Sequence, residues 1–225
     1  RDWSSDVCSS DLTMVTAFLN INRNDRDFEQ HYLNGVSKVL QCRNPMVVFA
    51  EEKYHDYIRQ SRGSLPIQIF NLQIENIENT DYFRDIQNII SKDEWKNQAE
   101  WMKTSVISSK YYIALTLYKN QLLEKASELN LFNSKKFYWI DAGMCSSYGI
   151  NEHIDTFNFN KLPDDKLFLT SFPYNTDTEI HGYNINAMTY LCGQKPNYVC
   201  RATIFGGTKE NIKAFNILYN SCLRE

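Results

Sequence analysis

No run of about 18 apolar residues occurs in the 225-residue chain, so nothing in it reads as a membrane-spanning helix. Neither charge dominates. With 24 basic and 27 acidic residues the formal net charge is −3, whereas a nucleic-acid binder would show a basic face. A disulfide framework is missing too. Beyond Cys8 the cysteines are Cys42, Cys145, Cys192, Cys200 and Cys222, an odd set at irregular spacing that fits a reducing cytoplasm. Cys192 and Cys200 with His181 lack the close ligand pairs of a zinc site. No Walker loop, no dinucleotide fingerprint and no signal peptide is visible.

What is present suits a folded α/β chain. Hydrophobic residues make up 43% and aromatics 14%, ample for the core of one large domain or two small ones. The first dozen residues, from Arg1 to Leu12, resemble the in-frame translation of a sequencing-library adapter and fit neither helix nor strand. Setting them aside as non-native removes one basic and three acidic residues, so the net charge of −3 becomes −1.

Residues 13–19 form a β-branched and apolar run without alternation, as in a strand covered on both faces. Phe28, Tyr32, Leu33, Val36 and Leu40 recur at helical spacing. After Asn44-Pro45 comes a second buried strand at residues 46–50. Strand, helix, strand in about forty residues predicts a βαβ unit and a parallel sheet. A helix over 51–61 and a strand over 65–70 follow, while 71–79 favours neither a helical turn nor a loop. Residues 81–105, charged and carrying Trp95 and Trp101, read as one or two exposed helices over the sheet edge. The clearest helix spans 110–129, with Asn130 as its stop. Farther on, the pattern predicts a helix from Asn151, a strand over 167–170, a helix over 185–191 and a strand over 198–205.

The chain is organised around Lys136-Phe137-Tyr138-Trp139-Ile140-Asp141-Ala142-Gly143, a buried strand ending in a carboxylate. An acid at the edge of an apolar interior meets a cation, a metal or water. In open α/β sheets ligands bind beyond the carboxyl ends of strands, which makes Asp141 the leading candidate for chemistry. An aspartate capping the turn before Gly143 would have the same sequence. A second signal is Gly206-Gly207-Thr208, read as a tight turn from the last strand into a helix over 209–223. Such a turn presents free N–H groups to an anion, or is merely a turn. Lys119, on the long helix among apolar neighbours, reads by itself as snorkelling to solvent.

In combination, these stretches resemble the HtrL/YibB-like (WlaTC/HtrL) bacterial glycosyltransferases associated with surface-polysaccharide loci. The resemblance runs from about Thr13 to the end. It rests on residues 13–18 with Ile21 and Arg23, on 45–49, on Tyr118-Lys119, Leu122-Leu123 and Ala126, on 130–134 leading into 137–143, and on 205–208. It implies a single Rossmann-like GT-A-type domain over 13–225, a mostly parallel sheet flanked by helices. It also implies a nucleoside diphosphate sugar donor, a glycan or glycolipid acceptor of the polysaccharide or lipopolysaccharide kind, and a place in the cytoplasm or at the inner membrane face. Thr16, Ala17 and Phe18 would border the nucleobase, Arg23 and Lys119 would serve the nucleotide, and Gly206 and Gly207 would let the sugar or acceptor approach. Asp141 would hold Mn²⁺ or Mg²⁺ and is the best catalytic candidate. Asp141-Ala142-Gly143 departs from the paired-carboxylate pattern, and Asp177-Thr178-Glu179 has the alternative spacing. The chain stops soon after the glycine-pair helix, where such folds continue, so a fragment of a longer enzyme is expected.

Two other classes stay in view. One is a nucleotide-sugar-binding module without turnover. The other is a hydrolase with Cys145 as nucleophile and His153 or His181 as base, although no nucleophile elbow surrounds that cysteine.

Overall fold

A computed structural model describes residues 11–23, 27–96, 110–146, 161, 165–175 and 185–223. Six strands form one sheet in the order β3-β2-β1-β4-β6-β5. They are β1 (Leu12–Phe18), β2 (Met46–Ala50), β3 (Ile67–Asn71), β4 (Lys136–Ile140), β5 (Phe168–Pro173) and β6 (Tyr198–Thr208). The first four are mutually parallel, and β6 runs antiparallel to both β4 and β5. β1 begins at Leu12, one residue before the expected Thr13, and Leu12 is buried opposite Lys136.

The central strands are apolar without a break because both faces are covered. Met46, Val48, Tyr138 and Ile140 face one core; Val47, Phe49, Phe137 and Trp139 face the other. The first core is closed by a helix whose initial turns, Phe28–Leu33, are π-helical and which continues as α1 (Asn34–Val39), and by α2 (His55–Arg62). The second is closed by α3 (Ile74–Glu78), α4 (Phe83–Ile90), α6 (Tyr112–Leu129) and α8 (Lys209–Cys222), with α5 (Asp93–Lys96) following α4. A further helix, α7 (Ile185–Cys192), precedes β6. The result is a three-layer α/β/α domain.

Within residues 71–79, indeterminate by pattern, lies α3, its first turn fastened by Asn76 Oδ1, which accepts the Gln73 N–H at 2.8 Å. Asn130 stops α6 as expected, taking the left-handed conformation at φ 39° and accepting the Ser134 N–H at 2.8 Å. The last strand corrects one expectation. β6 runs through Gly206 and Gly207 to Thr208, so the glycines lie within the sheet and not in a turn after it. A Cβ on Gly206 would stand 2.0 Å from the Phe137 carbonyl oxygen, so only glycine lets the two backbones pair there. Thr208 caps α8, accepting the Asn211 N–H. Trp101, Asn151, His153, Asp177, Glu179 and His181 lie outside the described residues.

Candidate functional site

Strand order reverses direction between β1 and β4, the place where open α/β sheets hold ligands beyond the strands' carboxyl ends. A cavity of about 480 Å³ opens there. One side is the segment after β1, residues 19–23. Asn20 accepts the Asn22 N–H at 2.9 Å and Asn22 sits at φ 53°, a local turn that short amide side chains tolerate. The Asn20 N–H donates to Glu51 at 2.9 Å, tying this loop to the end of β2. The turn delivers Arg23 between two aromatic rings, 5.7 Å from the Tyr32 centroid and 5.6 Å from that of Tyr112. Its guanidinium also donates to the Tyr32 hydroxyl. Phe28 and Tyr32 reach the cavity from the π-helical turns, a distortion frequent at functional sites.

The opposite side is the end of β4. Asp141 continues the ladder by donating its N–H to the Thr203 carbonyl at 2.9 Å, and its own carbonyl accepts from Met144. Its Oδ1 accepts the Trp139 indole N–H at 2.7 Å and lies 2.7 Å from the Lys119 ammonium. Lys119 therefore does not snorkel. Its side chain is only 15% exposed, lies 5.9 Å from the Trp139 ring and approaches the Ala202 carbonyl at 3.4 Å. The alternating pattern of β4 sends Trp139 to the α6 face, which is why the indole, the ammonium and the carboxylate meet.

The third wall is a bulge. Leu169 pairs with Phe205 but Thr170 pairs with Arg201, so the register skips residues 202–204 of β6, and the Thr170 hydroxyl donates to the Ile204 carbonyl at 2.6 Å. Bulges re-aim side chains, and here Thr170, Arg201, Thr203 and Ile204 all line the cavity. Arg201 lies over the Phe172 ring at 4.7 Å. Among the described residues the lining carries three cations, Arg23, Lys119 and Arg201, against one carboxylate, Asp141.

Of the residues expected at a site, Ala17, Phe18, Arg23, Lys119 and Asp141 come together around this cavity. Thr16 lies fully buried in β1, outside the lining, and its hydroxyl has no hydrogen-bond partner among the described residues. Gly206 and Gly207 also stand apart from the lining: they pair with Tyr138 and Phe137, toward the start of β4, while Asp141 follows its end. Arg201, Thr170, Tyr32 and Tyr112 were missed. Cys145 is 2% exposed within the first core, and burial pushes its thiol pKa up, the reverse of what a nucleophile needs.

The family resemblance stated above implies a divalent cation at Asp141. Among the described residues the donor set does not fit one. Among the described residues no three of His, Cys, Asp and Glu converge, and the Asp141 oxygen already has an ammonium against it. A hard cation there would have one carboxylate from the described residues and would take its remaining oxygen ligands from water and phosphate. A divalent ion about 4 Å from that ammonium would be repelled by about 4 kcal/mol per unit of its charge at the effective dielectric of a protein surface.

The fold is that of a GT-A-type α/β protein. The chain belongs to the HtrL_YibB family, described as "Bacterial protein of unknown function (HtrL_YibB)", whose pattern it matches over residues 10–222. No curated protein sequence matches it. Among solved structures it is similar to core-mannan synthase A (CmsA/Ktr4) from Aspergillus fumigatus, in its Mn/GDP form. That likeness has a TM-score of 0.52 and 9% identity, over 97% of this chain and 66% of that one. It is also similar to mouse xyloside xylosyltransferase 1, apo form, with a TM-score of 0.44 and 9% identity, over 94% of this chain and 71% of that one. The chain thus spans 66% of the length of the mannan synthase. No helix among the described residues is long and apolar enough to cross a membrane.

Proposed function

We propose that this protein transfers a sugar from a nucleoside diphosphate donor to a glycan or glycolipid acceptor of the bacterial surface, working in the cytoplasm or at the inner membrane face. The observation that carries the reading is the charge of the crevice: among the described residues three cations face one carboxylate, in a chain whose net charge is −3. Such a focus of positive potential suits a diphosphate. The mannan synthase with the same fold type, in its Mn/GDP form, supports the choice of a nucleotide.

In this reading Ala17 and Phe18 border the base, with Thr16 beneath them in β1. Arg23, Lys119 and Arg201 receive the diphosphate, and Asp141 holds Lys119 in place. Gly206 and Gly207 act at a distance, by letting β6 close against β4. The acceptor hydroxyl oxygen bonds to the anomeric carbon as that carbon's bond to the diphosphate oxygen breaks. The products are the glycoside, a nucleoside diphosphate and the hydroxyl proton. The leaving group departs as an anion, so cations already aimed at it lower the barrier. The test is a panel of UDP-, GDP- and CDP-sugars offered with bacterial lipopolysaccharide or polysaccharide. One donor class is expected to give acceptor-dependent release of nucleoside diphosphate. Release from none of them would overturn the reading.

A further inference from the structure

We infer that the crevice binds its nucleoside diphosphate without a divalent cation, with the Lys119 ammonium supplying the charge that a metal ion would bring. The inference rests on the donor site proposed above.

A carboxylate oxygen that already accepts from an ammonium and an indole is a poorer ligand for a metal than a free one. Here Asp141 Oδ1 is taken twice, by the Trp139 indole N–H and by Lys119 Nζ, each at 2.7 Å. Nor is the lysine there by accident of a surface pair. It is 15% exposed, its ammonium sits over the Trp139 ring, and the Ala202 carbonyl of the β6 bulge faces it from the far side. A hard cation at that oxygen would have to displace the ammonium, and a lone carboxylate would leave the rest of its ligand set to water and the diphosphate itself. The lysine, by contrast, is suited to the task. Its charge rides on a flexible four-carbon stem with three rotatable donors, so the ammonium can pass from carboxylate to phosphate with α6 unmoved. Asp141 then acts as a positioning residue for the ammonium. Arg23, braced by Tyr32 and Tyr112, and Arg201, braced by Phe172, add the charge that a lone lysine lacks against a diphosphate.

Calorimetric titration of UDP, GDP and CDP into the protein, in EDTA and then in excess Mn²⁺ or Mg²⁺, tests this. The nucleotide that binds is expected to do so in EDTA with a dissociation constant within about tenfold of its value with metal. Lys119→Met should weaken binding in EDTA by about tenfold or more without rescue by metal, and Lys119→Arg should retain it. Near-ultraviolet circular dichroism checks that both variants fold. Binding that is about tenfold or more tighter with metal, or Lys119→Met binding as well as wild type, would overturn the inference and leave the donor-site reading standing. Binding of no nucleotide under either condition would overturn the donor-site reading itself.

Discussion

At the scale of single residues, the site depends on one shared oxygen. Asp141 Oδ1 accepts from an indole that is otherwise core and from an ammonium that is mostly out of water. Hydrogen bonds to a charged group contribute about 1.5–3 kcal/mol, so Asp141→Ala should destabilise the fold by about 2 kcal/mol, read from the denaturant midpoint, besides weakening nucleotide binding. A denaturation curve unchanged by the substitution would show that the pair is idle. Asp141 was legible because an acid ending an apolar strand is conspicuous. Arg23 and Lys119 were legible only through family resemblance, since a helical lysine is ordinarily solvated. Arg201 and Tyr112 were not legible. Arg201 reaches the site through a bulge, and neither strand's side-chain period records one.

At the scale of elements, the two ends of the sheet are closed by devices of different kinds. Gly206 permits β6 to lie against β4, where an added Cβ would strike backbone, which cannot yield as a side chain tip can. Gly206→Ala should therefore cost about 3 kcal/mol, seen as a lowered thermal midpoint, and should weaken ligand binding only through the fold. An alanine variant as stable as wild type would contradict that reading of β6. On the other side, the buried Arg62 guanidinium donates to the carbonyls of Leu40, Cys42, Asn44 and Pro66, gathering the ends of α1 and the starts of β2 and β3. Burial pulls its pKa down to about 10, which leaves it charged at neutral pH. The sequence pattern placed the helices and strands here because period and punctuation agree. It misjudged the glycine pair because Gly-Gly before a helix looks alike whether the backbone turns or a neighbouring strand presses close. Arg62 gave no signal, since a lone arginine at a helix end normally faces solvent.

At the scale of the whole molecule, the parallel run β3-β2-β1-β4 was readable from near-continuous apolar strands joined by helical segments. The antiparallel pair β6-β5 was not, because its edge is half exposed and its register is broken by the bulge. The second core carries a titratable cost at high pH. Burial raises the phenols of Tyr82, Tyr118 and Tyr219, the last to about 12. Each is neutral in both states below the ordinary phenol pKa of about 10, and above it the unfolded chain loses protons first. Stability should thus be flat up to that pH and fall from there to about 12, with Tyr219→Phe flattening the decline in urea midpoints. A decline unaltered by the substitution would count against this origin.

The central claim is that a cationic crevice between β1 and β4 holds a nucleoside diphosphate. Calorimetry with UDP, GDP and CDP tests it most directly: saturable heat is expected from at least one of them, and Lys119→Met should weaken that binding by about tenfold or more. No heat from any of the three, in a protein whose circular dichroism shows it folded, would contradict the account.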